Sequence, residues 1–464
     1  MHIRLSAAVM GLTAVAAVAA AEPVTYEAEK AVMTDLAVDT TVKGFSGESY
    51  VMAFTNEAGS LTFNVDAPAA GLYEMVLGYA TPSGGKWCNL IVNELPEGEI
   101  ELPGVEGFAE TKPTLVLLQQ GANKLTIEKG WGFYAIDFLK LSPAAELPPH
   151  QVTAELINPS ASAPAKALMA FLVSNFGKNI IAGQQEYPQN PGREVKQLRE
   201  LTGKEPALVG QDFMDLTPSR VKKGTSSKVV DEAIAWHERG GIVAFSWHWD
   251  SPLGQLPGPE HEWKAFNTNA TSFDLAAAMA DPESEAYKLL VSDIDAIAGH
   301  LKQLRDRNIP VLWRPLHEAE GGWFWWGAKG PEACKKLWAL MVDRMTNHHQ
   351  LNNLIWVWNS TAPEWYPGNH LVDIASYDSF PAPHNHNPAS AFFRQLVAVT
   401  DNRKLIAMAE AGSIPDPDLI ALTKSHWAWF NSWNSNVRDQ NSDDHLRKLY
   451  SHPNVITLDE LPKF

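Results

Sequence analysis

Ile309-Pro-Val-Leu-Trp-Arg-Pro-Leu-His-Glu318 is the stretch whose reading decides the fold. Residues 309–317 read as a short, β-rich strand that ends on Arg314, His317 and Glu318. Comparable runs lie at 179–185, 207–213, 242–249, 354–359, 372–380, 405–410 and 427–433. Between most of them lie amphipathic helical stretches such as 194–201, 228–239, 285–307 and 332–348. In the last of these, Cys334, Leu337, Leu340, Met341 and Met345 share one face. Strands that alternate with helices in this way fit an α/β fold, a (β/α)8 TIM barrel with some insertions. An open doubly wound sheet is the competing arrangement. No G-x-G-x-x-G follows the first strand and no P-loop is present, so nucleotide binding has no support.

Upstream the rhythm is different. Leu61-Phe63-Val65, Tyr73-Met75-Leu77 and Leu125-Ile127 alternate over short spans broken by Gly, Pro, Asn or Asp, which suggests an all-β sandwich over 22–143. Three prolines between Pro143 and His150 mark a semi-rigid linker, 144–152, ahead of a barrel domain at 153–464. Residues 1–21 read as a signal peptide: His2 and Arg4, a small apolar run, then an A-x-A site at Ala19 and Ala21. The mature protein is expected to be secreted or periplasmic, without a membrane span. Cys88 and Cys334 fall in different domains, so two buried free thiols are expected rather than a disulfide.

Composition narrows the function. The net charge is −17 and no basic run exists, which argues against a nucleic-acid partner. Seventeen Trp are present, fifteen of them after residue 230. They read either as a Trp-rich core or as flat platforms on which sugar rings stack.

In a barrel, functional side chains stand at the C-terminal strand ends. The fourth strand delivers Glu318 and the seventh, Ala407-Met-Ala-Glu-Ala-Gly412, delivers Glu410. Two carboxylates on one cleft suit retaining glycoside hydrolysis, one protonating the leaving oxygen and the other attacking the anomeric carbon. Each is alternatively a solvated loop residue or an ion-pair member. Trp323, Trp325 and Trp326 follow Glu318 closely, and Trp247 and His248 end the third strand. With Trp433 they are expected to gather as sugar platforms at the mouth. His248 and His317 lack a third spaced ligand for zinc.

These motifs resemble glycoside hydrolase family 26. The resemblance is carried by Trp313-Arg-Pro-Leu-His-Glu318 with Gly322-Trp323, Trp356-Val-Trp-Asn359, Trp365-Tyr-Pro-Gly368, Val372-Asp-Ile374 with Asp378, Ala409-Glu-Ala-Gly412 and the terminal Val455-Ile-Thr-Leu-Asp-Glu-Leu-Pro462. It implies a retaining β-1,4-mannanase that acts as a monomer on mannan-type polysaccharide or manno-oligosaccharide, with no cofactor for catalysis. Glu318 would be the acid/base and Glu410 the nucleophile. His317, His248, Trp247 and Trp323 would line the substrate subsites, Trp433 would floor the site at the cleaved bond, and Arg314 would restrain the carboxylates. β-1,3-xylanase and β-glucanase activities also occur in the family, and a barrel that only binds glycan is a further alternative. One departure supports the latter. The family pattern Asp-x-Tyr reads Asp378-Ser379-Phe380 here, without the hydroxyl that orients the nucleophile. Tyr377 has the opposite strand parity and would face away unless the strand bulges.

Residues 22–143 resemble a family 35 carbohydrate-binding module, through Tyr26-Glu-Ala-Glu29, Gly71-Leu-Tyr73, Gly121-Ala-Asn-Lys-Leu-Thr126 and Ile136-Asp-Phe138. The resemblance implies a structural Ca²⁺ on Glu27, Glu29 and Asp137, oxygen ligands that suit the ion. Alternatively Glu27 and Glu29 share a solvated strand face. Trp131, after Gly130, leads the candidate sugar contacts, with Trp87, Phe133 and Tyr134.

Overall fold

The computed structural model describes residues 22–464; the expected signal peptide, 1–21, lies outside the described residues. The chain divides into two compact units, with the division between Glu146 and Leu147.

The first unit has a seven-stranded and a five-stranded sheet, antiparallel throughout. The alternation read from sequence is the reason they stack. Along Ser60–Ala67, Leu61, Phe63, Val65 and Ala67 are buried while their neighbours are not. They join Leu77, Leu125, Ile127 and Leu139 in one core between the sheets. Cys88 belongs to that core and Cys334 to the other unit; both are free, and burial pushes each thiol up to about 12.

The second unit is the barrel. Its strands are β1 (Ile180–Gln185), β2 (Leu208–Asp212), β3 (Ile242–Ser246), β4 (Val311–Arg314), β5 (Leu354–Asn359), β6 (Ile374–Ser379), β7 (Leu405–Ala411) and β8 (Trp429–Ser432). Each pairs in parallel with the next, and β8 returns to β1, which closes the ring. A short strand, Val455–Ile456, pairs with β1 from outside the ring. Helices α1 (Ala163–Asn175), α2 (Arg193–Thr202), α3 (Val229–Glu238), α4 (Glu285–Arg305), α5 (Pro331–Asp343), α6 (Ser390–Val399), α7 (Pro417–Thr423) and α8 (Asp443–Ser451) surround it. Between β5 and β6 only a 3₁₀ turn, Pro363–Trp365, makes the crossover. The sequence takes 144–152 as a linker, but residues from Leu147 onward pack on the barrel. Leu147, Val152 and Ala154 cover its core, and the Asn402 amide donates to the Pro148 and Pro149 carbonyls. No helix among the described residues is long and apolar enough to cross a membrane.

Candidate active site

β4 ends at Arg314 and the chain then turns sharply, with Leu316 at φ +53° and Glu318 at φ +52°. Neither side chain favours that left-handed region, so the turn is held by its contacts. The Trp326 indole N–H donates to the His317 carbonyl (2.8 Å), and the Glu318 amide donates to Asn359 Oδ1 at the end of β5 (2.8 Å). The result aims Glu318 at the barrel mouth. There carboxylate oxygens of Glu318, Asp378 and Glu410 lie within 4.8 Å of one another.

One cation organises them. Arg314, nearly fully buried, donates through Nη1 to Asp378 Oδ2 (2.7 Å) and through Nη2 to Glu410 Oε1. Burial opposes the guanidinium charge, but Asp378 and Glu410 outweigh it and hold the group firmly protonated. Burial, with Glu318 adding and Arg314 opposing, pushes Asp378 up to about 7. Burial and Asp378 likewise raise Glu410, against the pull of Arg314. Three carboxylates around one guanidinium favour keeping a proton within the cluster. The Asn359 amide donates to Asp378 Oδ1 (2.9 Å) as well as holding the Glu318 turn, so one side chain ties the two together.

A second polar row flanks the cluster. His317 Nε2 and His248 Nε2 are 3.2 Å apart, and His248 Nδ1 meets Asp212 Oδ2 at the end of β2. Burial, then His248 and Arg314, depresses His317 well below the ordinary histidine range, so it stands as a neutral imidazole. His248 holds Asp212 below the ordinary carboxylate range despite burial. Trp433 lies with its ring 6.1 Å from His248. Trp323, half exposed, donates its indole N–H to Glu318 Oε2 (2.9 Å).

Several expected site residues stand elsewhere. Trp247 is not a sugar contact: it is buried, stacks on Trp249 at 4.1 Å and donates to Thr217 Oγ1 (2.9 Å). Trp325 and Trp326 are also fully buried, with indole N–H groups spent on the carbonyls of Trp249 and His317. They support the mouth from behind instead of presenting platforms. The pairing of β6 with β7 does shift between Tyr377 and Asp378, which sets Asp378 opposite Glu410. Tyr377 nevertheless faces outward, stacked on Phe392 of α6 at 4.1 Å, and is not part of the site. Phe380 is 46 % exposed, beside Gly412, where a Cβ would stand 3.2 Å from its ring. Phe380 offers Glu410 no hydroxyl, and Glu410 Oε1 accepts from Arg314.

Sequence reading gave no role to Asp212, Asn359 or Glu320, although Asn359 closes one of the family motifs. Glu320 accepts from Ser360 Oγ (2.6 Å) and the Ala362 amide (2.7 Å), clamping the turn after β5. The available signal was position: Asp212 and Asn359 both end barrel strands.

In the first unit, Glu27 ends a strand and Glu29 sits in a 3₁₀ turn, so they do not share a strand face. Both turn with Asp137 onto residues 46–48. Ser46 donates its hydroxyl to Glu27 (2.6 Å) and its amide to both Asp137 oxygens, and the Glu48 amide donates to Glu29 (3.0 Å). Gly47, at φ +64°, leaves a cradle: a Cβ there would lie 2.6 Å from Glu29 Oε1. Glu29 Oε2 is buried without a protein partner. This all-oxygen donor set fits a hard divalent cation. Trp131 is 54 % exposed, tilted on Trp87 at 5.1 Å, with Lys86 Nζ 4.6 Å from its ring. Tyr134, by contrast, is buried and stacks on Phe54.

A closed parallel barrel with two close carboxylates and half-exposed indole at its C-terminal mouth defines a glycoside hydrolase. The chain belongs to glycosyl hydrolase family 26, whose profile matches residues 157–460; residues 24–144 match the carbohydrate binding module of family 35. It is 44 % identical over 450 residues to a mannan endo-1,4-β-mannosidase of Thermothelomyces thermophilus, covering 95 % of this chain and 92 % of the relative. It is 33 % identical to mannan endo-1,4-β-mannosidase A of a Piromyces species, covering 95 % and 73 %. Among solved structures, the β-(1,4)-mannanase of Podospora anserina with both domains matches at TM-score 0.68 and 44 % identity, over 94 % of this chain and 98 % of that one. A β-mannanase from a symbiotic protist of the termite Reticulitermes speratus, complexed with gluco-manno-oligosaccharide, matches at TM-score 0.61 and 35 % identity, over 68 % and 100 %.

Proposed function

We propose that this chain is an exported β-mannanase that cleaves β-1,4-mannosidic bonds with retention, using Glu318 as acid/base and Glu410 as nucleophile. The observation that carries the reading is that Glu318 and Glu410 converge at the barrel mouth, one oxygen of each carboxylate lying within 4.8 Å of one oxygen of the other. Retaining enzymes hold these groups roughly 5–5.5 Å apart, whereas inverting ones leave roughly 6.5–9.5 Å for a water. Glu318 gives its proton to the glycosidic oxygen while Glu410 attacks the anomeric carbon. The sugar is then bonded to Glu410. Glu318, now ionised, takes a proton from water, which displaces Glu410 and regenerates both groups. Arg314 fixes the attacking oxygen, and His248, Trp323 and Trp433 surround the sugar. Family 26 hydrolysis needs no cofactor. The names of the relatives support mannan as the substrate.

The N-terminal unit serves in this reading as the sugar-binding module, with Trp131 as its platform and Ca²⁺ held by Glu27, Glu29 and Asp137. Export rests on the small, apolar N-terminal segment.

Glu410→Ala is expected to abolish release of reducing ends from mannan. Proton NMR of the first product from the native enzyme is expected to show the β-anomer. Full activity in the variant, or the α-anomer appearing first, would overturn the assignment.

A further inference from the structure

A row of hydrogen bonds has a direction, and beside the three carboxylates one residue sets it. Asp212, the last residue of β2, is 5 % exposed. Its Oδ1 accepts from the backbone amides of Met214 (2.8 Å) and His248 (3.1 Å). Its Oδ2 accepts from Ser246 Oγ (3.1 Å) and faces His248 Nδ1. An ionised carboxylate only accepts, so the hydrogen of that last contact sits on His248 Nδ1. His248 Nε2 then meets His317 Nε2 across 3.2 Å, a spacing that holds one hydrogen between two nitrogens. His317 is neutral, so one of its nitrogens carries a hydrogen and the other does not. If His248 donated, the hydrogen of His317 would stand on Nδ1, which is buried without a protein hydrogen-bond partner. A buried N–H with no acceptor is costly. The row therefore runs one way, from His317 Nε2–H to His248, and from His248 Nδ1–H to Asp212. Phe266 and Phe324 stand edge-on to the His248 ring at 5.2 and 5.6 Å and offer its nitrogens nothing.

We propose that Asp212 is a positioning residue for hydrolysis: through His248 it fixes which nitrogen of His317 carries hydrogen, and how both rings stand beside Glu318. The proposal rests on the reading of the barrel as a mannanase, since His317 directly precedes the acid and His248, the partly exposed ring of the row, lies beside Trp433. Exchanging the carboxylate for its amide exposes the role. In Asp212→Asn the two backbone amides keep the side-chain oxygen at the place of Oδ1, because an NH2 group there would meet two donors. The NH2 then points at His248 Nδ1, which must give up its hydrogen. That hydrogen moves to Nε2 and points at His317, whose own hydrogen is driven to Nδ1, where nothing accepts it. A change of one atom at Asp212 thus reverses the row or parts the two rings.

The test uses the full chain with ¹⁵N-labelled histidine at pH 8. Two-bond nitrogen–hydrogen correlations distinguish the two ring nitrogens, and His248→Asn and His317→Asn assign the signals. In the native enzyme hydrogen is expected on His248 Nδ1 alone and on His317 Nε2 alone. In Asp212→Asn, with its fold checked by melting temperature, His248 should carry hydrogen on Nε2. Misaligned rings are felt when the sugar reacts, so kcat on mannan should fall about tenfold, with KM changed less than about twofold. Hydrogen on His248 Nε2 in the native enzyme, or a folded Asp212→Asn that keeps it on Nδ1, would overturn the direction of the row. Native kcat in a variant with the hydrogen moved would overturn the positioning role. The spectra involve no substrate and no catalytic step, so the proposal and the assignment of Glu410, tested by Glu410→Ala, fail separately.

Discussion

Asn359 shows how one side chain can couple two catalytic elements. Its carbonyl oxygen fixes the Glu318 turn and its amide donates to Asp378, so Asn359→Ala loosens the proposed acid and deprives a buried carboxyl of a donor. Hydrogen bonds to charged groups contribute about 1.5–3 kcal/mol, which corresponds to a fall in kcat of about 10- to 100-fold. KM should change little, and the loss of a donor should move the acid limb of the pH–rate profile upward. An unchanged kcat would remove Asn359 from the positioning machinery. Asp293 argues a stability effect at the same scale. It is buried and accepts from the Trp249 indole (2.8 Å), and burial pushes it up to about 6. Between about pH 4 and 6 the folded state therefore holds more protons than the unfolded one, and stability falls as pH rises through that window. Asp293→Asn cannot titrate. It should gain on the native protein above pH 6, by at most about 3 kcal/mol, and show no such gain at pH 4. Denaturant midpoints at pH 4 and pH 8 measure the difference.

At the scale of elements, the turn after β4 is where the sequence spoke most clearly and also misled. Strand ends were legible because buried parallel strands are short apolar runs, and a charged residue closing one has few places to go but the mouth. Parity already told where Trp247 points. It shares parity with Phe245, which packs in the core outside the barrel, while His248 follows Ser246 inward. Trp325 and Trp326 carried no such signal, because they lie beyond a Gly-Gly turn that resets the alternation. Tyr377 follows parity as well: the β6–β7 pairing shifts register beside it, yet its ring still faces outward onto Phe392. Gly321 gives the turn its testable feature. A Cβ there would stand 2.0 Å from the Trp323 ring, so the indole can reach Glu318 only over a glycine. Gly321→Ala should displace the ring, cost the hydrogen bond and lower kcat/KM about tenfold. Trp323→Phe, which keeps a ring but no N–H, should match it if the hydrogen bond is what matters. Native kinetics in both variants would reduce Trp323 to a bystander.

For the whole molecule, the two units have separate cores, and the carboxylates of Glu27, Glu29 and Asp137 belong to the first alone. A cation bound there stabilises that unit by mass action, about 2.7 kcal/mol at a hundredfold excess over Kd. It leaves the barrel carboxylates untouched. Burial first, then Glu27 and Glu29, push Asp137 up to about 6 in the metal-free site, against the Ser46 amide. Binding requires the ionised group, so affinity should rise with pH through that value. Calorimetry of the intact chain at pH 8 should therefore give two transitions, of which a chelator lowers only the one belonging to the first unit. At pH 5 the chelator should have little effect, because the protonated site holds the ion weakly. Hydrolysis of soluble manno-oligosaccharides should be indifferent to the chelator at both pH values. A chelator that shifts neither transition at pH 8 would reduce the three carboxylates to loop anchors for residues 46–48. One that shifts both would mean the stabilities of the two units are coupled, which separate cores do not predict.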